Sequence, residues 1–566
     1  MMKYFPYRLR APELNERRVS DDKVLFWWII ILILVRFWLV DSMDLIATRT
    51  PHDDYLFVKL AKNILSGQWL GPYDHYTLIK GPGFPLFLAV VHHLGLPLLF
   101  AQQLLYSLFS LLVVVALRPL VTGRLLLLAV FALVLLNPFM YMYPGVGRVF
   151  RLGLSMPLVL ATFTCMFGLV SRVRGSWKSK MMWSSGLGFF FSYLWFTREE
   201  GIWMVPSLGL TILLFFLADA IYSKKELLLR FLVVAWVGCI FWGLQTTFAH
   251  LNEKHYGHPV INELKSPQFS TALGSLMNID TGDIRRYVPV SSEAHDLAFS
   301  VSPTLAQLKP IFAKSKSSAW PDSFYIWKLR AAASNGGHVD TLTDALDFYG
   351  QIGADIQQAC DAGTIPCYDR KPTLRPPWHA AYNHNIWPVF SKIFSDAVTF
   401  SMFDEEQMKI NARTSSGAKE VIEEFIFVTG EHLVPSQRSV LNNQPSYYTH
   451  MKIEKFRILI DIAAIYKWLT PILFFLAVAA HLLLFVRETL KKQCSIELWM
   501  LFVILGGLIS LVSVLTFVKI TLWPITRPLF SAYPLVLLYI SVAGLALQRA
   551  WNNSRQVTLS GKNWGI

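Results

Sequence analysis

The sequence predicts an α-helical membrane protein with many spans, on the basis of its composition, its hydropathy and the placement of its charges. Of its 566 residues, 54% are hydrophobic, including 40 Phe and 19 Trp, and the mean hydropathy is +0.41. Such values are typical of integral membrane proteins and not of soluble enzymes. The formal net charge of +14 does not indicate nucleic acid as a partner, because the basic residues cluster between apolar stretches, as membrane topology requires.

The apolar stretches define the predicted elements in chain order, and stretches of bilayer-spanning length recur along the chain. The first follows a basic segment, 1–23, and no small-residue cleavage site comes after it, which indicates an anchor and not a removed signal peptide. About ten spans are predicted, at 24–46, 84–117, 125–143, 151–171, 182–197, 202–222, 231–249, 466–486, 496–518 and 528–547. The span 84–117 contains Gly95 and Pro97 and is predicted as one long, broken span, since splitting it would reverse every later loop. Eleven or twelve spans remain the alternative.

Basic clusters in the short loops all fall on one side of the membrane in this arrangement. The positive-inside rule then places segment 1–23 and the tail 549–566 in the cytoplasm. It makes 24–249 an N-terminal transmembrane catalytic module with a first outer loop at 47–83, and it makes 456–548 a C-terminal transmembrane module. We expect a bacterial inner (plasma) membrane, with the outer side facing the periplasm or the cell exterior.

The polar region 250–455 is long enough to fold as a domain on that outer side. Amphipathic patterns such as 344–362 predict a mainly α domain with few strand-like runs. Cys360 and Cys367 lie within it, and in an oxidising compartment their spacing indicates a disulfide. A zinc half-site is the alternative, although no His or Cys pair at ligand spacing accompanies them.

Two adjacent carboxylates, Asp53 and Asp54, stand just beyond the first span. A membrane enzyme keeps its base at the bilayer edge, because ions in the hydrocarbon core are strongly disfavoured. Apolar residues then recur at helical spacing from Phe57, which predicts an amphipathic helix at the membrane interface, closed by Gly67. Aromatic residues follow at headgroup depth: Trp69, Tyr73 and Tyr76. Asp53 and Asp54 are alternatively caps of that helix, a role that Asp commonly has.

Charged residues from four loops gather at the same outer boundary in the predicted topology. Besides the two aspartates, they are Lys80, Arg148, Arg151, Arg198, Glu199, Glu200, Lys519 and Arg527. An outward arginine such as Arg527 runs against the topological preference and therefore suggests a function. Lys80 is alternatively a span-end lysine that extends to the headgroups, and 198–200 alternatively an ion pair that shapes its loop.

Several short motifs in the membrane portion occur in a characteristic order. They are His52-Asp53-Asp54-Tyr55, Ala61-Lys-Asn-Ile64 with Gly67-Gln-Trp69, Lys80-Gly-Pro-Gly-Phe-Pro85, Thr197-Arg-Glu-Glu-Gly201 and Arg527-Pro-Leu-Phe-Ser-Ala-Tyr-Pro534. In this order the chain resembles the GT-C superfamily of polyprenyl-phosphate-sugar glycosyltransferases. It looks most like bacterial relatives of protein O-mannosyltransferases and of the lipid A aminoarabinose transferase. The resemblance is densest in 47–90 and says almost nothing about 250–455.

The resemblance implies an inverting transfer of a sugar from a polyprenyl phosphate to an acceptor hydroxyl. Asp53 would be the general base, and Asp54 would support it or cap the helix. The cation candidates for the anionic leaving phosphate are Lys80 and Arg527, followed by Arg148, Arg151 and Arg198. His52, Tyr55 and Glu200 are further candidates. No cofactor is expected; a divalent cation at Asp53 and Asp54 stays open, although two carboxylates alone make a weak site.

The sequence also departs from the relatives that it resembles. The second outer loop, 145–151, has no acidic residue where aminoarabinose transferases have one, and the β-trefoil insertion of eukaryotic O-mannosyltransferases has no visible counterpart. The sugar therefore stays open, as does the acceptor, which is a glycan, a lipid or a protein. A transporter or flippase of lipid-linked saccharides is the alternative function, although the sequence lacks the internal duplication expected of many transporters.

Overall fold

The structure is a computed structural model and describes residues 8–10, 22–121, 123–141, 145–198, 201–217, 224–282, 285–314, 324–403, 415–434, 446–522 and 527–561. Helices dominate the described residues, and seven of these helices are long and apolar enough to cross a membrane. The predicted class, a multi-span α-helical membrane protein, is thereby confirmed.

The N-terminal half contains nine helices within the described ranges. They are α1 (Asp22–Val40), α2 (Asp54–Leu65), α3 (Gly83–His93), α4 (Leu98–Leu117), α5 (Arg124–Leu135), α6 (Leu152–Ser171), α7 (Trp177–Thr197), α8 (Val205–Leu217) and α9 (Lys224–Tyr256). Short 3-10 turns connect some of them, at Arg118–Leu120, Pro138–Tyr141 and Gly201–Met204. The predicted amphipathic helix of the first outer loop is α2.

The remaining helices form the outer region and the C-terminal spans. They are α10 (Pro267–Asn278), α11 (Ser292–Val301), α12 (Pro303–Ala306), α13 (Lys309–Lys314), α14 (Tyr325–Asn335), α15 (Leu342–Asp361), α16 (Asn383–Val398), α17 (Lys419–Thr429), α18 (Ser446–Leu490), α19 (Ile496–Thr521) and α20 (Ala532–Gly561). Further 3-10 turns lie at Glu263–Lys265, Ala380–Tyr382 and Arg527–Ser531. A short parallel pair joins β1 (Arg8–Arg10) to β2 (Gln493–Ser495).

Two predicted boundaries differ from those in the structure. The predicted span 84–117 consists of α3 and α4, and the chain between them turns at Gly95, whose φ of +66° suits glycine because no Cβ is present. The predicted junction at 455 falls inside α18, because this helix is continuous over 45 residues. The number of membrane crossings stays a prediction.

The predicted outer domain 250–455 packs in two parts. The first part, 267–365, has its own apolar core, built mainly from α10, α14 and α15, and the Cys360–Cys367 disulfide joins the end of α15 to the strand-like residue that follows it. The second part, α16 and α17, instead buries its apolar residues in the core of the membrane module. We use the name outer domain for 267–365 from here on.

Helix α2 lies between these two cores. Phe57, Val58 and Ala61 pack into the membrane module, whereas Leu56 and Leu60 pack against Leu342 and Leu346 of the outer domain. Protein therefore covers both apolar faces of α2, the helix that begins at Asp54.

Candidate active site

The segment that leads to the acidic pair is held by backbone hydrogen bonds on two sides. On one side, the Ile46 N–H donates to the Gly147 carbonyl at 3.0 Å, which makes a bridge between Ile46 and Arg148. On the other side, Val434 and Ser416 donate to the Leu45 and Ala47 carbonyls at 2.9 Å each. These bonds bring the second outer loop next to the first.

Asp54 is fully buried and forms an ion pair with Arg148. Arg148 donates from Nε to Oδ1 at 2.9 Å and from Nη2 to Oδ2, so both carboxylate oxygens are engaged. Burial raises the pKa of Asp54 to about 6, although the Arg148 guanidinium opposes that shift. Asp54 therefore fixes Arg148 in the site and is poorly placed to accept a proton from a substrate.

Asp53 has a different environment, because its side chain is 18% exposed. In the described chain its carboxylate accepts no hydrogen bond from the start of α2, so a helix cap does not explain it. The Lys80 ammonium lies 3.6 Å from Asp53 Oδ1, and His52 Nε2 lies 4.0 Å from Oδ2. Burial, more than any neighbouring charge, lowers the pKa of His52, which favours a neutral imidazole next to the carboxylate.

Arg151 and Arg198 lie at the C-terminal end of α7. Arg151 is buried and donates to the Thr197 carbonyl at 3.2 Å, and its guanidinium lies 5.5 Å from the Phe57 ring centre. Arg198 is also buried and follows Thr197 directly. The turn at Lys80 reaches the same place, because Gly81 packs against the Phe196 carbonyl, where a Cβ would lie 2.0 Å from that oxygen.

The structure thus pairs Asp53 with Lys80 and Asp54 with Arg148, and it places Arg151 and Arg198 beside Thr197, close to the turn at Gly81. Three separate loops supply these six residues. Tyr55 points elsewhere and stacks on Phe425 at 6.3 Å between ring centres. Glu199 and Glu200 lie outside the described residues. Arg527 begins a 3-10 turn, and its side chain also lies outside the description.

Trp327 of α14 is a member of this site that the sequence did not indicate. Its ring centre lies 5.9 Å from the Lys80 ammonium and 5.4 Å from the His52 ring centre. The indole is buried. The outer domain therefore contacts both neighbours of Asp53.

A buried ion pair fixes the outer domain to the first outer loop. Arg330 and Glu263 have no exposed surface, and Arg330 Nη2 donates to Glu263 Oε2 at 3.0 Å. The same guanidinium donates to the His75 carbonyl at 2.7 Å, and the Tyr73 hydroxyl donates to Glu263 at 2.7 Å. Burial alone would lower the pKa of Arg330, but the Glu263 carboxylate outweighs it and the pKa is raised.

A cleft of about 280 Å³ begins one residue beyond Lys80. It is lined by Gly81, Trp195, Phe196, Gln245, Val260, Ile261, Asn262, Lys265, Ser266 and Pro267. Its volume is close to the lower end of the ~300–1,000 Å³ that is usual for small-molecule sites. None of the described residues that line it is acidic. Lys265 is the one basic residue among them, and its ammonium lies 5.5 Å from the Trp195 ring centre.

In the described part of the chain, no group of three or more His, Cys, Asp or Glu side chains could hold a metal ion. The two adjacent carboxylates do not form such a group together. Asp54 directs both oxygens to Arg148, and Asp53 lies next to a lysine.

No protein-family model and no curated protein sequence matches the chain. Among solved structures, it is similar to the archaeal oligosaccharyltransferase AglB from Archaeoglobus fulgidus in complex with an inhibitory peptide and a dolichol-phosphate. The identity is 10% over 78% of this chain and 69% of that chain, with a TM-score of 0.28. For the oligosaccharyltransferase of the same organism in the apo form, the identity is 11% over 77% and 68%, with a TM-score of 0.29. Both proteins belong to the GT-C class that the sequence resembles. TM-scores below 0.5 do not establish a common fold.

Proposed function

We propose that this protein is an integral-membrane glycosyltransferase that moves a sugar from a polyprenyl-phosphate donor to an acceptor hydroxyl, with inversion at the anomeric carbon. The observation that carries the proposal is the unequal pair of carboxylates. Asp54 is buried and paired with Arg148, whereas Asp53 is partly exposed next to Lys80. One carboxylate is thus fixed as structure and its neighbour is accessible to a substrate.

Asp53 acts as the general base in the proposed reaction. The acceptor hydroxyl gives its proton to the Asp53 carboxylate while its oxygen bonds to the anomeric carbon, and the bond from that carbon to the phosphate oxygen breaks. The polyprenyl phosphate leaves with the electron pair of that bond. A positioned base contributes typically ~10²–10⁴ in rate.

Cations near Asp53 stabilise the leaving phosphate. Lys80 lies closest, and its ammonium exchanges the Asp53 carboxylate for phosphate when the donor binds, which frees the base. Lys265 offers a second positive charge in the cleft next to Gly81. Arg148, Arg151 and Arg198 contribute the surrounding positive field, which favours an anion over a neutral ligand.

The topology of the proposal keeps this site on the outer side of a bacterial inner membrane. The N-terminus is then cytoplasmic, and the outer domain faces the periplasm or the cell exterior. The acceptor, a glycan, a lipid or a protein, approaches from that side.

The test is Asp53→Asn in a membrane preparation with a labelled polyprenyl-phosphate sugar. Loss of the proton acceptor is expected to lower transfer by at least about 100-fold, with donor binding kept. Asp74→Asn is the matched control, since Asp74 lies in the same loop and pairs with Lys59 at 2.7 Å. Transfer that survives at near wild-type rate excludes Asp53 as the base. Movement of the lipid-linked sugar across the membrane, with no glycosyl product from the wild type, would favour a flippase instead.

A further inference from the structure

Helix α14 brings two side chains of the outer domain into the first outer loop. Trp327 and Arg330 are three residues apart, a spacing that places them on the same face of a helix. Trp327 contacts the residues around Asp53, and Arg330 contacts the turn at His75. The active-site residues of the membrane module are therefore covered by a separately packed unit.

The indole of Trp327 is the common neighbour of the two groups that flank Asp53. The Lys80 ammonium lies 3.6 Å from the carboxylate and 5.9 Å from the indole. His52 lies 4.0 Å from the carboxylate and 5.4 Å from the indole. A cation over an aromatic face is attracted by the ring quadrupole, more so where water is excluded. Trp327 thus restricts the positions that both side chains can take.

Arg330 fixes where that indole lies. Its guanidinium is buried and donates hydrogen bonds to the Glu263 carboxylate and to the His75 carbonyl. Glu263 is in turn tied to the first outer loop, because its N–H donates to the Leu78 carbonyl at 2.9 Å. The turn that ends at Lys80 and the helix that carries Trp327 are consequently held together by two contacts, Arg330 with His75 and Glu263 with Leu78.

We propose that Trp327 is a positioning residue of the transferase site, which holds Lys80 and His52 around Asp53, so that the site is complete only when the outer domain is docked. This role rests on the proposed function and adds to it a residue outside the membrane module. Trp327 acts through Lys80 and His52.

The experiment compares Trp327→Leu, which removes the aromatic face, with Trp327→Phe, which keeps a smaller one. Trp183→Leu is the matched control, because Trp183 is also buried and also has a cation over its ring, Arg172 at 4.8 Å. Trp183 lies near the other end of α7, away from Asp53. The first readout is the rate at which an amine-specific reagent modifies Lys80 in the folded protein, with Lys59 as the reference lysine. The second is kcat for glycosyl transfer.

Trp327→Leu is expected to raise the reactivity of Lys80 about tenfold and to lower kcat at least about tenfold, since small displacements of catalytic groups have large effects on rate. Trp327→Phe is expected to keep Lys80 reactivity and kcat close to their wild-type values. Trp183→Leu is expected to change neither Lys80 reactivity nor kcat. Equal Lys80 reactivity in Trp327→Leu and Trp183→Leu, at equal folded fraction, overturns the proposal. If Trp327→Leu raises the reactivity of Lys80 as expected but the wild-type protein transfers no sugar, the proposed function is contradicted while the positioning of Lys80 by Trp327 stays supported.

Discussion

Asp53 and Asp54 are neighbours in sequence with opposite surroundings, and this difference arises where α2 begins. Asp54 is the first residue of the helix and points into the protein, where Arg148 compensates its charge. Asp53 precedes the helix and stays partly exposed. A buried charge without its partner is costly, so Arg148 is a structural requirement of Asp54.

Asp54 is expected to take up a proton with a midpoint near pH 6. Its pKa in the folded protein is raised to about 6 by burial. Because this value lies above the usual ~3.9, the group's contribution to stability is greatest below about pH 4 and is lost as the pH rises through 6. Difference infrared spectroscopy should detect the protonated carboxyl on going from pH 7 to pH 5, and Asp54→Asn should remove that signal. Arg148→Gln should move the midpoint upwards, and an unchanged midpoint would show that the guanidinium does not act on Asp54.

Lys265→Gln is expected to weaken binding of farnesyl phosphate in phosphatidylcholine nanodiscs about threefold to tenfold, the effect of losing one charge-assisted contact at a partly solvated site. The loss should shrink as salt is added. Lys309→Gln is the control, because Lys309 also lies over an aromatic ring, Phe299 at 5.8 Å, within the outer domain. Similar losses from both variants would remove Lys265 from the donor site.

Sequence patterns indicated the site residues that stand in local motifs and missed those that depend on tertiary packing. Asp53, Asp54 and Lys80 were recognisable because they stand in the short loop between the first two predicted spans. The pairing of Asp54 with Arg148 depends on the bridge between two outer loops, which no local pattern contains. Trp327 could not be found because an apolar position in a short helix has the same sequence pattern whether the side chain packs on a core or next to a lysine of another loop.

At the scale of elements, the close approach of the Lys80 turn to α7 depends on the absence of a side chain at Gly81. Gly81→Ala is expected to lower stability by about 1–3 kcal/mol, as overpacking does, and to lower transfer activity because Lys80 is displaced. The control is Gly209→Ala in α8, where a Cβ meets no atom within 4 Å and alanine favours the helix. Thermal unfolding and transfer rates measure both effects. Wild-type values for Gly81→Ala would show that the turn does not need this contact.

The buried Arg330–Glu263 pair is a second contact between elements, since it links α14 to the 3-10 turn at Glu263–Lys265. Glu263→Gln leaves a buried guanidinium without its counter-ion and should lower the free energy of unfolding of the outer domain by about 3–5 kcal/mol. Hydrogen exchange of the α14 amides measures this loss. Replacing both residues, as Glu263→Leu with Arg330→Met, should recover most of it. A double variant as unstable as the single one would mean that the pair is not responsible.

Helix existence was predictable along most of the membrane portion, whereas helix ends were not. Hydropathy reports where a helix is apolar, so it located the C-terminal half of α18 at 466–486 and missed the more polar turns that extend the same helix back to Ser446. Likewise α9 continues to Tyr256, beyond the predicted 231–249. Polar turns of a continuous helix and a following loop have similar composition, and tertiary contacts decide between them.

At the scale of the whole molecule, the region predicted as one outer domain serves two purposes. Residues 267–365 pack around their own core and cover the site, whereas α16 and α17 complete the core of the membrane module. The composition of 250–455 could not separate these parts, since both are amphipathic helices joined by polar loops.

The proposed topology places the outer domain and the short loop after α6 on opposite sides of the membrane. With Cys165, Cys239 and Cys494 replaced by serine, Ser300→Cys in α11 should react with an impermeant maleimide in intact cells with a permeable outer layer. Lys178→Cys should react only after the membrane is broken. The reverse pattern would overturn the proposed orientation.

The contact between Arg330 and His75 also determines when the candidate site can be completed during synthesis of the chain. His75 and Arg330 are 255 residues apart, and a ribosome adding ~5–20 residues per second needs roughly 13–50 s to make that stretch. Throughout this interval the nascent chain already carries the acidic pair but lacks α14, whose Trp327 contacts the two neighbours of Asp53. A polypeptide interrupted before α14 is therefore expected to insert into the bilayer without the contacts that Trp327 and Arg330 make at the candidate site.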